Sequence, residues 1–282
     1  MPLEIKKLPQ SEVEISMEIP AEDFEKHYKE AFGEISKNIS ISGFRPGKIP
    51  QEILEKNVSS NDVLKKAAEM AIQKTYFSIL KEKKIEAIGR PEIIITKIAK
   101  GDSFCFKVKT VVLPEITLPD YKKIASDINA KEKEGKKEKE SKEQAEKAQQ
   151  KTRIEILKVI GDSSEMEIPE ILVVAEKKKM IGELKSSIEN MGMKWQDYLN
   201  QIKKTEEDLI KEWQNDAETR VKYGLILREL AERENIQADD KEVDAEVEKL
   251  LKQLPGLDEN YPRGYTYGII RNEKVFRFLE TC

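Results

Sequence analysis

The chain is short of the residue types that most often build chemical sites. Its 282 residues include one histidine, His27, and two cysteines, Cys105 and Cys282. A single histidine cannot make a histidine metal cluster. The two cysteines, one in a strand-like run and one at position 282, suggest neither a disulfide framework nor a zinc knuckle. No metal and no cofactor is expected. Aromatic residues are only 6%, so the cores must be mainly aliphatic. No apolar run approaches the ~18 residues that a membrane helix needs. The opening Met1-Pro2-Leu3-Glu4-Ile5-Lys6-Lys7 has no apolar signal-peptide stretch. These absences fit a cytoplasmic protein with no membrane contact. A charge excess of one sign is lacking too: 50 basic and 54 acidic residues leave −4, which gives no sign of a nucleic-acid binder. Residues 1–114 hold 19 basic and 17 acidic side chains and the remainder 31 and 37, so the first part is slightly basic and the second acidic.

Charge of both signs is abundant, at 37% of the chain, beside 38% hydrophobic residues. Such a balance can still bury a core and favours long amphipathic helices with solvated outer faces. The length suits two ordinary domains.

Residues 3–19 alternate, with Val13, Ile15, Met17 and Ile19 on one side and Glu12, Glu14, Ser16 and Glu18 on the other. Period two predicts a half-buried strand, and Pro9-Gln10-Ser11 turns it into a hairpin. After Pro20, Phe24, Tyr28, Ala31 and Ile35 recur at helical spacing over 21–38. A second helical region covers 51–83, with Ser59 and Asp62 spaced as a capping box. Gly89 and Pro91 are read as its stop, ahead of strands at Glu92–Ile98 and Ser103–Leu113. The first ~115 residues thus predict one α+β domain, helices packed on a small antiparallel sheet.

Beyond Pro114 and Pro119 the composition shifts. Residues 131–151 hold eight lysines and six glutamates, with Ala145 and Ala148 the sole apolar side chains. This stretch cannot bury a face; it reads as a solvated helix of i,i+4 charge pairs or as a flexible tether. Its mixed signs argue against a nucleic-acid arm. The rest is helical: a helix ending at Ile154–Ile160, one opened by Ile168-Pro169 and ended by Gly192, a short one at Trp195–Ile202, a long one from the Thr205/Asp208 capping box to Asn235, one from Asp239 or Asp240 to Pro255-Gly256, and a last one over Tyr267–Leu279. The expected organisation is multidomain: α+β over 1–118, an extended segment and charged linker or helix over 119–152, and an all-α domain over 153–282.

One loop stands apart chemically. From Ile35 to Gln51 there is no acidic residue, while Lys37, Arg45 and Lys48 all fall in that window. Pro46-Gly47 is the preferred central pair of a type II turn, which would bring the Cα atoms of Arg45 and Lys48 within ~7 Å, beside Phe44. Two cations and an aromatic on a stiff tip suit an anionic surface that supplies the counter-charge. The plain alternative is an ordinary helix-to-helix loop that happens to be basic. A phosphate-binding P-loop does not fit: Gly43 and Gly47 enclose only three residues, Ile49 stands where Ser or Thr is needed, and a helix precedes.

The run Gly43-Phe44-Arg45-Pro46-Gly47-Lys48-Ile49-Pro50 resembles the ribosome-docking signature of the trigger factor family. That resemblance implies a loop joining two long helices of an α+β N-terminal ribosome-binding domain, here 1–118, docked on a large-subunit protein and rRNA at the exit tunnel. It makes Phe44, Arg45 and Lys48 contact residues, with Gly43, Pro46 and Gly47 shaping the tip; some members carry lysine where this chain has Pro46. Ala87-Ile88-Gly89-Arg90-Pro91 and Val112-Leu113-Pro114-Glu115-Ile116 are similar to the rest of that domain, and residues 153–282 resemble, through Ile168-Pro169 and Val221–Glu229, a helical chaperone domain. Only about 125–152 is left uncovered. The function implied is an ATP-independent chaperone for unfolded nascent polypeptides, in folding and export, with weak homodimerisation. Family members usually place an FKBP-like prolyl isomerase between the two parts, a unit of about 100 residues. The charged segment alone stands there, so the chain is read as non-enzymatic. Two other readings remain: a true peptidyl-prolyl isomerase, and a structural interaction protein that never meets the ribosome.

The remaining candidates have plainer explanations. Met180, Met191 and Met193 suit either an adaptable client surface or helix-core filling. Trp195 and Trp213 read as core or inter-helix anchors. Tyr261, Tyr265 and Tyr267, around Pro262-Arg263-Gly264, are expected to pack a turn, and His27 to be a surface or packing residue. Paired carboxylates carry no information in so charged a chain.

Overall fold

The structure is a computed structural model that describes residues 3–39, 49–50, 53–54, 57–135, 142–253 and 260–282. The chain divides into two compact units, Met1–Pro114 and Glu115–Cys282.

The first unit is an antiparallel sheet with two long helices on one face. Strands β1 (Leu3–Leu8), β2 (Glu12–Ile19), β3 (Ala87–Lys97) and β4 (Phe104–Val112) lie in the order β1-β2-β4-β3. Helix α1 (Ala21–Asn38) and helix α2 (Ser60–Lys83) pack on each other and on the sheet. Alternation in β2 and β4 turns Val13, Ile15, Met17 and Ile19, and Phe104, Phe106 and Val108, toward the helices. Phe24 of α1 stacks on Phe104, ring centroids 4.7 Å apart, and Phe104 on Phe106 at 5.0 Å. The buried Tyr76 hydroxyl donates to Thr110 Oγ1 at 3.0 Å, so a polar pair inside the core is satisfied. On the other face of the sheet Lys107 pairs with Glu14 at 2.9 Å and Lys109 with Glu12 at 2.8 Å.

Strand β3 starts five residues earlier than the sequence suggests. Gly89 and Pro91 lie inside it and do not end the element. Gly89 takes φ +76°, a region favourable to glycine, and the pairing register shifts between Ile88 and Glu92. Because β3 is an edge strand, Pro91 sits there without breaking a second ladder.

The second unit is helical among its described residues, apart from an isolated bridge between Thr117 and Glu165. Its helices are α3 (Tyr121–Gly135), α4 (Lys142–Asp162), α5 (Glu170–Asn190), α6 (Trp195–Ile202), α7 (Glu206–Glu212), α8 (Gln214–Arg233), α9 (Asp240–Gln253) and α10 (Asn260–Thr281). The main core joins Ala125 and Ile128 of α3, Ile156 and Ile160 of α4, Ile226 and Leu230 of α8, and Val275 and Leu279 of α10. Two smaller clusters hold α5 against α6, α7 and α8, with Trp213 shared between them.

Three differences from the sequence reading concern this unit. The division falls at 114/115, and within 119–152, read as an extended segment and charged linker or helix, Tyr121–Gly135 is helix α3, whose Ala125 and Ile128 belong to the main core. The long helix from Thr205 is two helices meeting at Trp213, a one-residue interruption: the Trp213 amide bonds Leu209 O at 3.0 Å and its carbonyl accepts from Ala217 at 2.9 Å. The Tyr265–Tyr267 region is helix and not a turn, because α10 begins at Asn260 and takes Pro262 in its first turn, where its missing N–H costs nothing.

Candidate functional site

The predicted contact residues Gly43, Phe44, Arg45, Pro46, Gly47 and Lys48 lie outside the described residues. The described roots on either side show what holds that segment. On the α1 side, Ile39 N–H donates to Ile35 O at 3.1 Å, and both side chains pack against the core of the first unit. On the α2 side, Ile49 is buried, and Pro50 O accepts from Ile53 and Leu54 at 3.0 and 3.1 Å. Leu54 and Val58 add to the same core. Ser59 then caps α2, its Oγ accepting from Asp62 N–H at 3.4 Å, and the next residue, Ser60, meets the Tyr28 hydroxyl at 3.3 Å. Both ends of the segment are therefore fixed on one hydrophobic body.

Charge at the roots is arranged consistently. Lys37 sits in the last turn of α1, where the helix dipole favours a cation. Lys66 pairs with Glu34 at 3.6 Å, which keeps that carboxylate engaged. His27 takes no part: it lies on α1 roughly 18 Å of helix rise before Ile39. Its side chain is mostly buried, with Nδ1 3.7 Å from a Glu30 carboxylate oxygen.

In the second unit the methionines separate. Met180 fills a small core with Val173 and Ala217, while Met191 and Met193 are exposed beyond the end of α5. Both tryptophans are anchors. The Trp195 indole N–H donates to Glu206 at 3.2 Å, and Lys185 lies 5.2 Å over its ring. Lys185, 2.8 Å from Glu206, holds that carboxyl below its usual range. Exposed apolar side chains are spread over several helices, among them Ile154, Ile171, Val174, Tyr265 and Ile269.

Sequence reasoning missed the polar ties of this unit. Arg153 bonds Glu273 at 2.8 Å and Glu280 at 2.5 Å, and Asn129 Nδ2 donates to Leu279 O at 2.9 Å. These partners are 120 to 150 residues apart, beyond any helical spacing. The one available signal was Arg153 itself, an arginine just after a run whose cations are all lysine. Among the described residues no group of His, Cys, Asp and Glu could hold a metal ion, and no helix is long and apolar enough to cross a membrane.

Comparison with known proteins follows the same division. A family model described as "Bacterial trigger factor protein (TF)" matches residues 1–148, more than half of the chain. The chain belongs to the trigger factor family. A second model, "Bacterial trigger factor protein (TF) C-terminus", matches residues 130–263, so the two trigger factor segments overlap within α3 and α4. Curated trigger factors from Rhodococcus opacus (strain B4) and Salinispora arenicola (strain CNS-205) are each 34% identical, over 125 and 116 residues. These alignments cover 44% and 41% of this chain but only 27% and 26% of the relatives. The chain therefore spans about a quarter of the length of the curated trigger factors it matches. A solved chain described as "Promiscuous Substrate Recognition in Folding and Assembly Activities of the Trigger Factor Chaperone" superposes with a TM-score of 0.58 at 13% identity, covering 99% of both chains. That likeness shows a trigger factor fold.

Proposed function

We propose that this trigger factor family member is an ATP-independent chaperone that docks at the ribosomal exit tunnel and shields nascent polypeptides. The observation that carries the reading is the run Gly43–Pro50, acid-free and cationic, set between Ile39 on one side and Leu54 and Val58 on the other, all of which pack in one core. Phe44, Arg45 and Lys48 are the contacts with large-subunit protein and rRNA, and Gly43, Pro46 and Gly47 shape the turn. The helical unit offers exposed apolar side chains, Ile154, Val174, Met191 and Ile269 among them, set in a heavily charged surface. Such a surface holds an unfolded segment weakly and releases it without a nucleotide. The overlap of the two family matches supports a chaperone without an isomerase head between its parts. The cytoplasm is the compartment that goes with this work.

The test is co-sedimentation with ribosomes. The protein is expected to pellet with them at low salt and to leave them at high salt, because cationic contacts to RNA phosphate weaken as salt rises. Replacing Phe44, Arg45 and Lys48 together with alanine is expected to abolish pelleting without lowering thermal stability. Pelleting unchanged in that variant would sink the docking mechanism.

A further inference from the structure

The two helices of the first unit leave a groove beside edge strand β1. Its volume is about 1000 Å³, at the upper end of the range for small-molecule sites. Its walls are the N-terminal half of α1 and the C-terminal half of α2, and Leu3, Ile5, Met17, Ile19 and Ile79 give it an apolar floor. Ile5 lies opposite Ile15 on the helix-facing side of the sheet, yet it is 38% exposed where the groove opens. His27, the single histidine of the chain, stands in the α1 wall. Its Nδ1 is buried without a hydrogen-bond partner, because the Glu30 carboxylate oxygen 3.7 Å away is beyond hydrogen-bonding range. Buried polar atoms are normally paired, so this one points to a group that enters the groove.

The charges around the groove leave one remainder. Asp23 pairs with Lys26 at 2.7 Å, Glu82 pairs with Lys83 at 3.0 Å, and Glu30 has His27 beside it. Alternation in β2 turns the Glu18 side chain to the opposite face of the sheet, with Glu12 and Glu14. Of the charged side chains that face the groove, Lys74 alone makes no ion pair among the described residues. We propose that the groove binds a single-chain amphiphilic carboxylate of the fatty-acid kind. Its chain lies on the apolar floor, and its carboxylate takes Lys74 of α2 and the His27 ring of α1 as partners. A cationic head would meet an unpaired lysine and carboxylates that are already engaged. A purely apolar ligand would leave both Lys74 and His27 without a partner. The inference rests on the first unit alone and holds whether or not the loop at Gly43–Lys48 docks on a ribosome.

Proton NMR of the full chain tests it, because one histidine gives one imidazole signal and reports on this groove alone. Decanoate, kept below the concentration at which it forms micelles, is expected to shift the His27 ring signal saturably. Butyrate, with the same head and little tail, and decyltrimethylammonium, with the same tail and a cationic head, should leave it in place. Vesicles of an anionic phospholipid should leave it in place too, since they offer charge without a free chain. Lys74→Glu replaces a charge-assisted pair by repulsion and should weaken decanoate binding roughly tenfold. Ser78→Trp should block the groove from the α2 wall. Both positions are exposed, so the core stays intact in each variant. Lys65→Glu, an equal charge change on α2 away from the groove, should bind as the unaltered chain does. No saturable shift with decanoate, an equal shift with decyltrimethylammonium or with vesicles, or unchanged affinity in Lys74→Glu overturns the proposal.

Discussion

Arg153 is largely withdrawn from solvent, with its guanidinium between two carboxylates of α10, Glu273 and Glu280. Its hydrogen bonds hold the Glu273 carboxyl below the usual range, with Arg277 adding to the effect. A lowered carboxyl stabilises the fold fully above its unfolded value and loses that contribution as pH falls through its folded value. The helical unit should therefore weaken below about pH 5, and Glu273→Gln should flatten that dependence in urea melts taken at several pH values. Arg153→Met leaves two neighbouring carboxylates without their cation and should cost about 1–2 kcal/mol, at the low end because Glu273 still meets water. Tyr121 behaves in the opposite sense. Burial, and then its hydrogen bond to Glu234 at 2.5 Å, push its hydroxyl up to about 12. Its contribution is present below the ordinary tyrosine value and is lost as pH rises toward 12. An ultraviolet titration should show a late-ionising tyrosine that Tyr121→Phe removes. None of these ties was legible in the sequence, because each joins helices far apart in the chain. The loop at Gly43–Lys48 was singled out by local signals, turn chemistry and an acid-free window, and lies outside the described residues.

At the scale of elements, local signals were read well and their interruptions poorly. Thr205 and Asp208 form a full reciprocal capping box, with Asp208 N–H on Thr205 Oγ1 at 3.2 Å and Thr205 N–H on Asp208 at 2.9 Å. Thr205→Ala should cost about 1 kcal/mol in thermal or chemical unfolding. Ser59 makes only the longer, 3.4 Å half of such a pattern, so Ser59→Ala should cost less. The hairpin, the alternation of β2 and β4, and the helix over Trp195–Ile202 followed from period and flanking residues. Gly89 and Pro91 misled because they normally punctuate, whereas an edge strand tolerates both through a shifted register. Helix α3 was missed because its buried side is short, chiefly Ala125 and Ile128, and the lysine-rich sequence beside it shows no apolar face.

For the whole molecule the boundary matters more than any single contact. Residues 1–114 contain a complete core, so that fragment should unfold in one cooperative transition. Residues 115–282 should do the same. A fragment starting at residue 153 loses α3 and about half of α4, and with them Ala125, Ile128 and the Asn129 bond to Leu279. It should be far less stable than 115–282, or fail to fold, by circular dichroism. A fragment from 153 as stable as the longer one would mean that α3 is an accessory.

The distance between Asn129 and Leu279 along the chain has a consequence for how the protein itself is made. Among the described residues the N-terminal core draws on nothing beyond Val112, so it can close while synthesis continues. The helical core must wait for Val275 and Leu279 to reach Ala125 and Ile128. At 5–20 residues per second, that interval lasts about 10–30 s. During it α3, α4 and α8 emerge with their apolar stripes open, and the second half of the chain is briefly the kind of unshielded polypeptide that a chaperone serves.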